Sequence, residues 1–303
     1  KAAARNIIFG YIGNLTTQLL GFVLRTIFIR HLGQTLNGVN ALYTGILSVL
    51  SMAELGIGTA LNYSLYKPVI HKDYEKIKSY MLLYKKAYRM IGFVVAGIGL
   101  VIVPFLPYLV KQPEGVTLRD LTLYYLIFLF NTVSSYFVAY KYSLVNAEQK
   151  NYIQTNIITV TKMITVTLQI IVILTTGNFY AYLLTAATVE LLQKIFVSRY
   201  LNNMYPYLKE KDIKPLTKEE VGEVVKKTKA LVLHKVGDVA RLQTDAMIIS
   251  GFINVTLSGI VDNYNLVISS VSNFVNIIFN SVLSSFGNLI ATESRQKQYE
   301  IFK

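Results

Sequence analysis

The chain has 303 residues, of which 53% are hydrophobic and 16% charged, and its mean hydropathy of +0.43 comes from long apolar runs. That excludes an ordinary soluble domain and predicts an all-α polytopic transmembrane bundle. A net charge of +13 would point to nucleic acid in a soluble protein, but here the basic residues are placed as a membrane-topology signal and no nucleic-acid partner is expected.

A transmembrane helix needs about 20 apolar residues. Eight stretches qualify: 6–30, 37–65, 87–110, 121–144, 153–176, 179–204, 231–254 and 260–290. The first contains Arg25 and lacks a small-residue cleavage pattern, so it reads as a span and not a signal peptide. The second and eighth are long and interrupted by glycine (Gly45, Gly56, Gly58; Gly287), which predicts tilt or bending. Between spans two and three, residues 67–86 set Tyr74, Ile77, Met81, Tyr84 and Tyr88 at helical spacing among lysines. That pattern predicts an interfacial helix that feeds the third span and is anchored on anionic membrane lipids. Residues 205–230 form the longest loop, where Thr217 and Glu220 make a capping box ahead of Val221, Val224 and Val225. A short amphipathic helix on the membrane surface is expected there. All six prolines fall at span ends or in loops.

With the N-terminus inside, the inner segments hold twenty-three of the thirty Lys and Arg, and the outer loops hold three, Arg30, Lys111 and Arg119. This asymmetry puts both ends of the chain in the cytoplasm. Four basic residues remain inside predicted spans: Arg25, Lys162, Lys194 and Arg241. The absence of cysteine rules out a disulfide framework and any Cys-based metal site or nucleophile. No metal ligand cluster, P-loop or catalytic carboxylate pair is recognisable, and neither a cofactor nor enzymatic activity is expected.

The chain resembles itself at an offset of 221 residues. Thr35-Leu-Asn-Gly-Val-Asn-Ala-Leu-Tyr43 falls on Thr256-Leu-Ser-Gly-Ile-Val-Asp-Asn-Tyr264, and six of the seventeen positions from 35 to 51 are identical. Both copies cover an outer loop and the start of an inward-running span, so the repeat is parallel with six spans per unit. The expected organisation is a six-helix lobe over 1–204, a cytoplasmic linker over 205–230, and the first two helices of a second lobe over 231–303. The chain begins at Lys1 and stops soon after a span, so it is expected to be part of a longer protein.

An ionised residue at mid-membrane costs about 2.5–3.5 kcal/mol on the insertion scale, so such residues face a bundle interior or a wet cavity. Span one aligns Asn14, Gln18, Gly21 and Arg25 on one face, and span five aligns Thr155, Thr159, Lys162 and Gln169. Span seven aligns His234, Asp238, Arg241 and Asp245. Span eight carries Asp262, Asn265, Ser269, Asn273, Asn276 and Asn280, span two Ser51 and Glu54, and span six Glu190 with Lys194. Pairing within a helix accounts for Glu190 with Lys194 and for Asp238 with Arg241, and His234 near the inner interface fits an interfacial role. No acid lies three or four residues from Arg25 or Lys162. Those cations point to an anionic ligand.

Several segments resemble polysaccharide flippases, the Wzx-type O-antigen and capsule-repeat transporters of the multidrug/oligosaccharidyl-lipid/polysaccharide exporter (MOP) superfamily. They are Asn14 to Leu32 with Arg25 and the ending Ile29-Arg-His-Leu-Gly33, Ala53-Glu-Leu-Gly-Ile-Gly-Thr-Ala60, Tyr63-Ser-Leu-Tyr-Lys-Pro68, Thr244-Asp-Ala-Met-Ile-Ile-Ser250 and Asp262-Asn-Tyr264. The resemblance covers essentially the whole chain and rests on the order and topology of loose motifs. It implies a MATE-like transporter of twelve or more helices in two lobes, in the bacterial cytoplasmic membrane. Such a protein turns undecaprenyl-diphosphate-linked oligosaccharide to the outer leaflet through a cationic cavity, alongside a polysaccharide polymerase and chain-length regulator. On that reading Arg25, Lys162 and Arg241 receive the diphosphate. Asn14, Gln18, Asn273 and Asn276 meet sugar hydroxyls, and Glu54, Asp238, Asp245 and Asp262 are candidates for ion coupling. A drug exporter of the same superfamily would present an acidic cavity, and the basic stripes point away from it. A lipid II flippase shares the cationic logic and is separated only by the motifs. A membrane polymerase or ligase would need a sizeable outer loop, whereas each outer loop here is about ten residues or shorter.

Overall fold

The computed structural model describes the backbone of residues 2–54, 57–110, 115–210 and 213–292, and the side chains within them except 2–7, 52–53, 59, 230, 233–243, 274 and 276–292. The described backbone is helical, with no strand among the described residues. Its α-helices are α1 (Ala2–Leu50), α2 (Ile57–Ile70), α3 (Tyr74–Ile102), the single turn α4 (Leu106–Leu109), α5 (Leu118–Ala147), α6 (Asn151–Thr176), α7 (Phe179–Met204), α8 (Lys218–Ile248) and α9 (Val255–Thr292). Among the described residues five segments are long and apolar enough to cross a membrane: Ile8–Leu50, Tyr74–Leu109, Leu118–Ala147, Asn151–Thr176 and Phe179–Met204. Phe93, Val101, Leu174 and Leu192 on these helices stay exposed, a pattern that suits lipid. The chain is a multi-pass membrane protein.

Local chemistry sets the helix limits. At 1.5 Å per residue α1 would reach about 74 Å, more than twice the hydrocarbon core, so it cannot be one span. It is broken at Gly33, whose φ of 85° lies where a Cβ is disfavoured. The Gly-interrupted second span is broken as well: a 3₁₀ turn, Ser51–Glu54, precedes α2. The eighth span runs through Gly287 without a break. Asp73 caps α3, Thr117 and Asp120 form a capping box on α5, and Gly177 closes α6 in the left-handed region.

Two expected surface helices prove to be parts of longer ones. Residues 74–86 continue into the third span, because no Gly or Pro intervenes before Gly92. Ile77, Met81, Tyr84 and Tyr88 are buried, so their stripe faces the bundle and not the lipid headgroups. The capping box at Thr217 and Glu220 forms as expected, but it opens a helix that runs unbroken to Ile248. Lys76 ion-pairs Glu220 and so ties the start of α8 to α3.

The chain divides into two compact units, residues 1–259 and 260–303. In the second unit the described part is the continuation of α9 to Thr292, with Tyr264, Val267, Ile268 and Val271 exposed. In the first, α1 packs on α6, α3 on α5, α7 on both α5 and α6, and α8 on α1 and α2. The core is rich in tyrosine. Tyr43, fully buried, donates to the Leu121 carbonyl at 2.9 Å and stands edge-on to Tyr125, while Tyr125 donates to the Gly99 carbonyl at 3.0 Å. Each ring fills apolar space while its hydroxyl satisfies a helix carbonyl.

Positions matched by the repeat face one another at the start of α9. The non-helical Gly33 matches Asn254, which has extended backbone (φ −168°) between the π-turn Ile249–Ile253 and α9. Thr35 Oγ1 lies 3.1 Å from Thr256 Oγ1. A Cβ on Gly38 would meet the Val255 carbonyl oxygen at 1.8 Å, and one on Gly259 would meet the Gln34 carbonyl oxygen at 2.7 Å. Since 34 matches 255 and 38 matches 259, the contact is reciprocal, as a two-fold axis between the paired glycines requires. Close backbone approach through small residues is a standard mode of helix association in membranes.

Gly38→Val should therefore destabilise the folded protein by about 1–3 kcal/mol or more. Gly97→Ala, where nothing lies within 4 Å of the added carbon, should leave the melting temperature in detergent unchanged or slightly raised. Lys76, together with the Thr217 amide, holds the Glu220 carboxyl below its usual range. The resulting stabilisation is fully present above the ordinary value of 4.5 and is lost as pH falls through the lower folded value. Acidification should accordingly raise protease cleavage of the 205–217 segment in the parent, and Glu220→Gln should remove that pH dependence.

Candidate functional site

Four helices of the first unit bring polar groups together inside the bundle. On α1, Phe28 is buried edge-on against Phe179 and Tyr182 of α7, which fixes the helix face carrying Arg25. Arg25 Nη1 donates to Asn37 Oδ1, and Asn37, itself buried, donates from Nδ2 to the Gly259 carbonyl at 2.9 Å. The guanidinium is thus tied through one amide to the glycine crossing.

On α7, Lys194 Nζ donates to the Asn131 carbonyl (2.8 Å), to Asn131 Oδ1 (2.6 Å) and to Ser134 Oγ (2.8 Å), all on α5. Its distance to Glu190 Oε2 is 3.9 Å, while Asn131 Nδ2 donates to that same oxygen at 2.5 Å. The expected Glu190–Lys194 pair is therefore assembled through Asn131 more than by direct contact. Lys162 on α6 lies within electrostatic reach of Glu190 and Arg25. Its ammonium makes no hydrogen bond or ion pair among the described residues. Lys162 and Lys194 both lie within electrostatic reach of the Glu190 carboxylate, which Asn131 and Lys194 already engage, and Arg25 lies within reach of Lys162. This arrangement can accept an anion.

Other predicted residues lie elsewhere. Asn14 is exposed, and Gln18 has a buried Oε1 without a hydrogen-bond partner. Thr155 and Thr159 of α6 close on Gly13 of α1, and Gln169 donates to the Tyr182 carbonyl at 3.3 Å, so those members of the span-five stripe join helices. Glu54 belongs to a second polar group: it hydrogen-bonds Tyr136, whose hydroxyl also donates to Ser51 Oγ at 2.8 Å, and Tyr88 lies beside it. Asp245 is exposed. In the second unit Asp262 is half-buried and Asn273 exposed. The side chains of His234, Asp238, Arg241 and Asn276 lie outside the described residues. Sequence reasoning missed Asn37, Asn131 and Ser134. Asn131 carried a signal, a lone amide within the apolar run Leu126-Ile-Phe-Leu-Phe130 and Val133.

Two solved structures share this architecture. One is an inward-facing multidrug resistance MATE family transporter of the MOP superfamily, 14% identical, with a TM-score of 0.55 over 82% of this chain and 59% of that one. The other is a MATE protein in complex with MaD3S, 16% identical, with a TM-score of 0.56 over 84% of this chain and 58% of that one. The chain thus spans just under three fifths of the length of each. At such identities the likeness shows a shared fold, a MATE-like helical bundle. No protein-family model matches the sequence, and no curated protein does.

The two kinds of residue in the polar group should respond oppositely to truncation. Asn131→Ala strands Glu190 and Lys194 and should cost about 1–3 kcal/mol of stability. Lys162→Met removes a charge without a hydrogen-bonded partner among the described residues and should leave the detergent melting temperature equal or higher. A clear loss on Lys162→Met would mark that lysine as structural.

Proposed function

We propose that this chain belongs to a flippase of the MOP superfamily that carries an anionic, lipid-linked oligosaccharide between membrane leaflets. Lys162 carries the reading: its ammonium lies inside the bundle within electrostatic reach of Arg25, and the nearby carboxylate, Glu190, is already engaged by Asn131 and Lys194. Such a charge gains its compensation from a ligand, and a diphosphate fits two or three converging cations. The undecaprenyl tail can remain in lipid while the diphosphate and sugar headgroup, which hydrocarbon rejects, occupy the polar interior. Arg25 and Lys162 receive the diphosphate, and Gln18, whose buried Oε1 has no hydrogen-bond partner among the described residues, accepts from a sugar hydroxyl.

On this reading residues 1–204 form one lobe, 205–230 the linker, and 231–303 the opening of a second lobe. The ends bearing Lys78, Lys141 and Lys209 face the cytoplasm of a bacterial cell, as the distribution of positive charge requires. Rocking of one lobe on the other gives alternating access, and the Arg25–Asn37–Gly259 link places the substrate cation next to the crossing that must move. Glu54, Asp238, Asp245 and Asp262 are the candidates for a coupling ion.

Drug export by the same fold is the competing reading, because one matching structure is a multidrug resistance transporter. It calls for carboxylates facing a cationic substrate, whereas the acid in this polar group, Glu190, is held by an amide and a lysine. Reconstitution of the full-length protein with a fluorescent lipid-diphosphate oligosaccharide separates the two. Arg25→Gln and Lys162→Gln should each lower flipping at least tenfold, with insertion unchanged. Unchanged flipping in both variants, or export of a cationic dye by the parent protein with no lipid flipping, would overturn the assignment.

A further inference from the structure

A second cationic cavity, of about 610 Å³, opens at the end of the bundle where α3, α5 and α7 meet Leu208, Lys209, Glu210 and Ile213. Lys78, Lys85 and Arg89 line it from α3, at spacings of seven and four that place them on one helix face. Lys141 of α5 and Lys209 add two more cations, against one lining carboxylate among the described residues, Glu210. Lys78 already takes that carboxylate, at 2.7 Å.

Among the described residues no carboxylate pairs with the remaining charges. Lys141 Nζ donates to Ser198 Oγ and Asn202 Oδ1, both at 2.8 Å, and to the Ser198 carbonyl at 3.3 Å, all neutral oxygens. Lys85 stands within electrostatic reach of the same ammonium. Neither Lys85 nor Arg89 makes an ion pair among the described residues. Gathering like charges in a cavity lowers stability unless an anion joins them. The neutral oxygens orient Lys141 without discharging it.

Two aromatic rings beside the cations bear on the anion's source. Phe137 lines the cavity one helical turn before Lys141, and Phe93 lies one turn beyond Arg89. The two rings meet edge-on at 6.2 Å, and both are exposed on the apolar surface of the bundle. A headgroup phosphate on Lys85, Arg89 and Lys141 would therefore direct its chains along Phe93 and Phe137 into the hydrocarbon. A soluble anion would use the cations and leave the aromatic wall idle.

We infer that this cavity is a binding site for the phosphate headgroup of an anionic phospholipid entering sideways from the membrane. The site is separate from the polar group around Lys162 and stands whether or not that group binds a lipid diphosphate. It lies deeper than the surface anchoring that the lysine-rich 67–86 segment first indicates, because Lys85 joins residues of α5 and α7 around one cavity.

Native mass spectrometry of the full-length protein, released from nanodiscs of mixed phosphatidylglycerol and phosphatidylcholine, tests the inference. The parent should retain phosphatidylglycerol in preference to phosphatidylcholine. The Lys85→Gln/Arg89→Gln double variant, altered only at groups with no ion pair among the described residues, should retain roughly tenfold less. Phe93→Ser should weaken retention as well, and millimolar inorganic phosphate should not displace the lipid. Equal retention by parent and double variant would overturn the site. Displacement by phosphate, or indifference to Phe93→Ser, would assign the cavity to a soluble anion and overturn the lipid.

Discussion

Two helix backbones meet with no side chain between them where Gly38 faces Gly259, and much of the first unit follows from that contact. Backbones can approach this closely only if both positions lack a Cβ, and in a membrane such an approach replaces the hydrophobic drive that lipid does not supply. The chain must also leave its helical path just before each glycine, at Gly33 and at Asn254, for the two turns to present their small residues to each other. Thr35 and Thr256 then share a hydrogen bond across the axis. Asn37 uses the exposed Gly259 carbonyl as its acceptor. Arg25, held in turn by Asn37, acquires its position from the crossing.

The fold was legible where it depended on single residue types. Length of apolar runs marks the spans, Thr217 with Glu220 marks the start of α8, and the shared Thr-x-x-Gly marks the internal repeat, though not that its two copies face each other. What the pattern could not show is where a helix continues past the membrane surface. Lys-rich helical stripes at 74–86 and 218–230 resemble interfacial helices, yet the backbone stays helical past each of them, to Ile102 in α3 and to Ile248 in α8. Lys141 illustrates the same limit: counted by sequence among inner-loop lysines, it lies within α5 and projects to Ser198 and Asn202.

The candidate cations could be picked out from the sequence, and their neighbours could not. Arg25 and Lys162 stood out because no acid shares their helix face, and the structure places them within electrostatic reach of each other. Their surroundings, Asn37, Asn131 and Glu190, come from other helices, and spacing along one chain carries no information about a partner on another. Stripes on a single helix also mix roles. Thr155, Thr159 and Gln169 share a face with Lys162 but close contacts with Gly13 and Tyr182, since polar atoms in a membrane bundle serve both helix association and solute binding.

Two cationic places thus occupy the first unit, an inner one within the bundle around Lys162 and another at the bundle end around Lys141, and both proposals have a phosphate balance their positive charge. The central claim is that the inner one is an anion site whose affinity is set by charge. Equilibrium binding of farnesyl diphosphate to the purified full-length protein at fixed ionic strength measures this most directly. The account predicts that Lys162→Gln weakens binding about tenfold, or 1.4 kcal/mol, and that Glu190→Gln strengthens it by removing the competing carboxylate. Binding that is indifferent to Lys162→Gln, or that weakens with Glu190→Gln while the fold is retained, would contradict it.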